Sequence, residues 1–254
     1  LECFLKQSKK SIQVCFMGAK HIVLAGGGHS HSLILRRWAM NPHLRPTGLI
    51  TLVNRHSTSI YSGMIPGLLA GIYCKESVSI DLRRLAEISG VAFVVAEIQG
   101  VEISLNQLVL KGRPPIRFTN LSLDVGSESP SNLFGDEGQK IMPVKPLERA
   151  LEWIENQDEI AFSPNPLPFT VIGSGLAAVE VAISLRYRWP KRPISLQAYQ
   201  GYIKEAFRKV LVEASILIQP SGVPLNGPAL LCTGSKAPDW LTHSGFPVDS
   251  CGRL

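Results

Sequence analysis

Five cysteines are scattered along the 254 residues (Cys3, Cys15, Cys74, Cys232 and Cys251), and no two of them form a C-x-x-C pair. That spacing excludes a disulfide framework, a zinc site of the usual kind and a dithiol redox centre. The thiols read as small buried or free groups in a reducing compartment. No run of about 18 apolar residues occurs, which excludes a membrane-spanning helix. Basic runs with interleaved aromatics are missing as well. The net charge of +6 is spread out, and its densest patches, Lys9-Lys10 and Arg83-Arg84, are short. Nucleic acid is therefore not an expected partner, and the positive excess reads as a solvated face or as attraction to anionic cofactors. There is no G-x-S-x-G elbow, which removes the common hydrolase reading. Ahead of Met17-Gly18-Ala19-Lys20, the lysines Lys6, Lys9 and Lys10 precede only a short apolar patch without a cleavage site. Residues 1–16 are thus expected to be an upstream extension rather than a signal peptide, and the expected location is cytoplasmic. At the other end, Asp249–Arg253 reads as a turn cut off before its next strand.

What the sequence does have is one pattern used twice. His21–Ala25 is an apolar run that enters Gly26-Gly27-Gly28-His29-Ser30-His31, and helical periodicity follows through Met40. Phe169–Ile172 enters Gly173-Ser174-Gly175-Leu176-Ala177-Ala178, with helical periodicity through about Arg188. A strand, a Gly-x-Gly turn and a helix, repeated, predict an α/β protein with two Rossmann-like units, each built on a parallel sheet in a three-layer ββα arrangement. Leu49–Val53 supplies a second strand. Asp81 is placed to cap a helix ending before Gly90, and Val91–Val95 is a buried strand. Val101–Leu110 reads as one alternating hairpin strand and Ile116–Val125 as one or two more, which together resemble the β-meander of FAD-binding domains. Ser127–Gly138 reads as a loop. Leu147–Asn156 reads as a helix whose core face carries Leu147, Leu151 and Ile154, and Ser163–Pro168 as a linker.

In such turns the first glycine permits the bend and the second lets the backbone approach a pyrophosphate. The third packs helix on strand, and the helix N-terminus offers free N–H groups and partial positive charge. His31 takes the third place in the first turn and Ala178 in the second. His29 and His31 are either turn residues or phosphate or adenine contacts. Metal ligation is not expected, since no carboxylate or Cys partner stands at ligand spacing. The acidic residue expected at the end of each second strand is replaced by Asn54, followed by Arg55, in the first unit and by Ala198 in the second. Lys191 and Arg192 lie shortly upstream of that second position. The second site is the weaker one.

The string Gly26–His31, with Tyr61-Ser62-Gly63-Met64-Ile65-Pro66-Gly67-Leu68-Leu69-Ala70-Gly71, resembles a branch of the FAD-dependent pyridine nucleotide-disulfide oxidoreductase superfamily. That branch is similar to type II NADH dehydrogenases (the FAD-containing subunit), and some members are fused to a selenide, water dikinase domain. The likeness covers residues 17–254. It implies an FAD-binding unit at 17–162, a shortened NAD(P)-binding unit at 163–230 and a return into the FAD unit at 231–254. FAD and NAD(P)H are the implied cofactors. Gly26, Gly27, Gly28, Asn54 and Arg55 would line the ADP half of the FAD, with His29 and His31 beside them. Tyr61, Ser62 and Pro66 would lie beside the isoalloxazine ring, and Asp124, Gly126 and Ser127 would belong to the segment where the chain crosses near the FAD between domains. Gly173, Gly175 and Ala178 would face the NAD(P)H pyrophosphate and Glu180 the nicotinamide, while Thr233 and Gly234 would mark the return strand. The implied reaction is hydride transfer from NAD(P)H to flavin, then electron transfer to a quinone or another small acceptor. No catalytic side chain is required, and peripheral membrane contact stays open. The chain departs from the family in lacking its later Gly-Asp motif and in having a short stretch between Gly175 and Thr233. A flavin- or nucleotide-binding accessory module, serving a selenophosphate-synthetase-like partner, is the alternative.

Overall fold

The computed structural model describes residues 20–129, 141–198 and 203–249. The expected extension at 1–16, the start at Met17, most of the Ser127–Gly138 loop, Cys3, Cys15, Cys251 and the final residues lie outside the described residues. The first half runs β1 (His21–Ala25), α1 (His29–Met40), β2 (Leu49–Asn54), β3 (Thr58–Ile60), α2 (Ile65–Leu69), β4 (Ser79–Asp81), α3 (Leu82–Ile88) and β5 (Ala92–Val95). Then come β6 (Ile98–Glu102), β7 (Gln107–Leu110), β8 (Arg113–Arg117) and β9 (Asn120–Leu123). The second half runs β10 (Ile141–Pro143), α4 (Leu147–Glu155), α5 (Asp158–Ala161), β11 (Phe169–Ile172), α6 (Leu176–Arg188) and β12 (Ile194–Gln197). It ends with α7 (Glu205–Glu213), β13 (Leu217–Gln219), β14 (Ala229–Leu231) and α8 (Asp239–His243).

Two parallel sheets carry these elements, in the orders β5-β2-β1-β9 and β10-β14-β11-β12-β13. The period of two in β1 explains the first unit's layers. Leu24 faces α1 and α3, packing with Leu35, Trp38, Leu82 and Ala86. Val23 and Ala25 face the other way, onto Val101, Leu108 and Leu110 of the antiparallel meander β6-β7-β8. Both faces are covered, as a parallel sheet requires. Asp81 caps α3, its carboxylate accepting from the Arg84 N–H at 2.9 Å, as its place in the sequence predicts.

Two expectations about elements need correction. Val101–Leu110 is not one strand. The chain turns over Ile103–Leu105, and Asn106 takes the left-handed conformation (φ 50°), so two short strands pair back to back. Asparagine tolerates that conformation better than most residues. Residues 141–161, counted above with the first unit, build the second: β10 pairs with β14, and Ala150, Leu151, Ile154 and Ala161 join the core over β11. That same core takes in Leu68, Leu69 and Val78, so the Tyr61–Gly71 string is clamped between the two units.

Behind the second sheet lies a buried cation. Arg192 is fully buried, its guanidinium 5.0 Å from the Phe169 ring centroid and 4.7 Å from that of Trp189. It donates from Nε to the Leu167 carbonyl at 2.8 Å, and burial pushes its pKa down to about 10 against the pull of Asp158. Asp158 in turn receives Arg188 at 2.6 and 2.8 Å and the Trp189 indole at 2.7 Å. Burial alone would raise this carboxyl, but those hydrogen bonds and the Arg188 and Arg192 charges leave it below its ordinary value of 3.8. Arg192→Ala is expected to lower stability by about 2–4 kcal/mol, because it empties a packed ring sandwich; urea denaturation measures it. A depressed carboxyl stabilises the fold above its ordinary pKa and loses that contribution as pH falls through the folded value. The wild type is therefore expected to lose stability below pH 4 more steeply than Asp158→Asn does, in thermal melts taken across that range.

Candidate functional site

Both glycine turns leave the carboxyl end of a strand whose two neighbours are reached in opposite directions. β1 lies between β2 and β9, and β11 between β12 and β14. Open α/β sheets bind ligands at such points. In the first turn the reason for each glycine is visible. Gly26 sits at φ +93°, and a Cβ there would lie 2.2 Å from the Asp124 carbonyl oxygen. A Cβ on Gly27 would meet Leu82 Cδ1 at 2.3 Å, and one on Gly28 would meet Asp124 Oδ1 at 2.2 Å. A side chain at Gly26 would push on the Asp124 backbone, whereas at Gly27 and Gly28 the Leu82 and Asp124 side chains would have to move.

The two histidines separate. His31 is buried and turned toward the strands: Nδ1 lies 2.6 Å from the Gly26 carbonyl and Nε2 2.8 Å from Ser122 Oγ. A carbonyl can only accept, so Nδ1 donates to it, and Nε2 shares a hydrogen bond with the serine hydroxyl. His31 thus locks the turn from beneath and is absent from the cavity wall. His29 is exposed, and its ring lies 5.2 Å from that of Tyr61; neither residue lines the cavity. Asn54 rivets the turn to β2, with Oδ1 accepting from the Gly27 N–H at 2.8 Å and Nδ2 donating to the His56 carbonyl at 2.9 Å. Arg55 pairs with Glu97 at 3.0 Å. Asp124 Oδ2 accepts from the His31 N–H at 2.9 Å, so a carboxylate already caps the first turn of α1.

These residues open onto one cavity of about 1070 Å³, at the upper end of the usual range for ligand sites. Its wall runs from Gly26–Gly28, Asn54 and Arg55, past Ser62 and Pro66, to Asp124, Gly126 and Ser127. Ala177, Glu180 and Val181 of α6 complete it from the second unit. Sequence reasoning missed Trp240 and Lys145, which also line it. Lys145 stands in the short string Val144-Lys145-Pro146 before an amphipathic helix, and nothing local marks it. The Lys145 ammonium donates to Ser127 Oγ, and its backbone N–H donates to Ser129 Oγ at 3.2 Å.

The second turn stands apart. Gly173, Gly175, Ala178, Thr233 and Gly234 do not line this cavity. Gly173 is needed for fit, since a Cβ there would come within 2.8 Å of Ala178 Cβ and of the Cys232 carbonyl oxygen, while Gly175 is open. Thr233 is buried with its hydroxyl unpaired. Beyond it, Glu128 and Lys236 exchange backbone hydrogen bonds of 2.8 and 3.0 Å, which stitch the two crossing segments together. Lys191 and Arg192 precede β12, at the end of the sheet opposite the turn, and Arg192 is buried, so neither is placed for a phosphate there. Burial pushes the Cys232 thiol up to about 12, which keeps it protonated and unreactive. Among the described residues no cluster of potential metal ligands occurs, and no helix is long and apolar enough to cross a membrane.

No protein-family model matches the chain, and neither does any curated protein. Solved structures do. CoADR-RHD of Bacillus anthracis superposes with a TM-score of 0.77 at 14% identity, over 92% of this chain and 47% of that one. Sulfide:quinone oxidoreductase of Aquifex aeolicus gives 0.70 at 19% identity, over 92% and 63%. NDH2 of Plasmodium falciparum, solved with NADH, gives 0.69 at 13%, over 87% and 56%. This chain therefore spans between about half and two thirds of each. At such identities the likeness establishes the fold, a pair of dinucleotide-type α/β units.

If His31 locks the turn as described, His31→Leu leaves the Gly26 carbonyl and the Ser122 hydroxyl unpaired. The expected cost is about 2 kcal/mol in urea denaturation, and His29→Leu, on the exposed surface, is expected to cost under about 0.5 kcal/mol.

Proposed function

We propose that the chain is the nucleotide-binding part of an FAD-dependent oxidoreductase that takes a hydride from NAD(P)H and passes electrons to a quinone or another small acceptor. One observation carries the reading. The first glycine turn, Ser62, Gly63, Ile65 and Pro66, the Asp124–Ser127 segment and one face of α6 share a single cavity. A dinucleotide seated on the first turn would therefore extend toward the second unit. The solved structures with this fold bear names of NADH-dependent and quinone-dependent enzymes, which supports the same class. The chain spans less than two thirds of each of them, so their whole activity enters here as part of the proposal.

FAD, when bound, would supply the redox chemistry, a two-electron relay between NAD(P)H and a quinone or other acceptor. The chain's own residues bind and orient. Gly26–Gly28 give backbone access, Asn54 holds the turn in shape, and Ser62 and Pro66 present a narrow wall. Glu180 faces the same space from α6, where it would bound the nicotinamide's approach. Exclusion of water falls to Ile65, Leu69 and Val181 along the wall.

A second reading has its own support. Ala198 leaves the second ribose position without an acid, and the second glycine turn lies outside the cavity wall. These favour a flavin-holding accessory module, as for a selenophosphate-synthetase-like partner.

Anaerobic titration of the FAD-reconstituted chain with NADH separates the two. Loss of the oxidised flavin absorbance, one equivalent per flavin, is the expected result. Bound flavin that NADH leaves oxidised favours the accessory module, and a chain that retains no flavin refutes both. Gly26→Ala, which forces a side chain against the Asp124 backbone, is expected to abolish flavin retention.

A further inference from the structure

Several sources of positive charge face the cavity, and those beside the first glycine turn are already partly balanced. The N-terminus of α1 is capped by the Asp124 carboxylate. Arg55 is held by Glu97 at 3.0 Å, and the same carboxylate takes Lys111 at 3.4 Å. Lys145 is the lysine that lines the wall. Among the described residues, none of the ion pairs involves it; its ammonium is held by the neutral Ser127 hydroxyl. Carboxylates otherwise dominate this stretch of wall, with Asp124, Glu128, Glu148 and Glu180 all lining it. An anion entering such a space meets a repulsive field unless a cation compensates, and at low effective dielectric that compensation is strong.

We infer that Lys145, positioned by Ser127 and Ser129, supplies the charge that binds the diphosphate of the dinucleotide, in place of the helix N-terminus that Asp124 has capped. The inference rests on the dinucleotide reading above. Three features support it. Ser127 lies on the segment that leaves Asp124, so the ammonium is tied to the strand that packs on the glycine turn. A serine hydroxyl fixes the ammonium without neutralising it, unlike the carboxylate on Arg55. The two remaining ammonium protons are free to reach a phosphate oxygen, since a lysine has three donors.

FAD binding to wild type, Lys145→Met and Lys145→Arg, followed by quenching of flavin fluorescence at low and high salt, tests the inference. Lys145→Met is expected to weaken binding by about 10- to 100-fold at low salt, the range for losing a hydrogen bond to a charged group. Its affinity is expected to vary less with salt than the wild type's, because a screened attraction has been removed. Lys145→Arg is expected to stay within about threefold of wild type, since the charge is kept. Unchanged affinity in Lys145→Met overturns the inference. So does an equal loss at both salt concentrations, which would mean that the methylene stem shapes the cavity while the charge does nothing. Thermal melts followed by circular dichroism show whether the variants are folded, and an unfolded Lys145→Met leaves the arginine variant and the wild-type salt dependence to decide. A wild type that binds no FAD refutes the dinucleotide reading itself; a variant that binds like wild type refutes only the role of Lys145.

Discussion

The close approach of Asp124 to the first glycine turn organises the rest of the site. Its backbone N–H bonds the Ala25 carbonyl at 2.8 Å, continuing the pairing of β1 with β9. Its carbonyl and carboxylate then fill the space that Gly26 and Gly28 leave empty. From there the chain can only leave across the top of the sheet. That path carries Ser127 to Lys145 and Glu128 to its backbone pairing with Lys236. One steric constraint thus sets the helix cap, the crossing of the chain between units and the position of the cavity's free cation.

Much of this fold was legible because it is periodic. Strand, glycine turn and helix recur with the same spacing, and buried parallel strands read as apolar runs. What escaped were features decided by partners distant in sequence. β10 has three residues and earns its place only by pairing with β14. The break of the meander at Asn106 rests on a single left-handed residue within an alternating pattern. The inward turn of His31 depends on Ser122, far along the chain. No local signal distinguishes a histidine that faces a phosphate from one that faces a serine hydroxyl under the turn.

The site itself divides in the same way. Gly26, Gly27, Gly28, Asn54, Arg55, Ser62, Pro66, Asp124, Gly126, Ser127 and Glu180 converge on one cavity; the glycine-turn pattern pointed to the first five, and the family resemblance implied the others. Tyr61 and His29 pack ring to ring but do not line it, while Gly173, Gly175, Ala178, Thr233 and Gly234 cluster around the second turn. Lys145 was invisible because a lysine before a proline has no chemical signature of its own. It becomes informative only once the field around it is known.

That field connects composition to function. A chain with a net charge of +6 would be expected to attract an anionic cofactor over its whole surface, yet the cavity wall is richer in carboxylates than in free cations. Long-range attraction is screened within about 8 Å at physiological salt, so the general surplus does little inside. Selectivity for an anion there must come from the few cations whose charge is not already balanced. A capped helix and a paired arginine contribute shape more than charge. An ammonium held by a hydroxyl contributes both, because the hydrogen bond fixes its place and leaves its charge intact. In this architecture the glycine turn supplies access to the cavity, and the charge that would hold a diphosphate there is provided from the other unit's side of the wall.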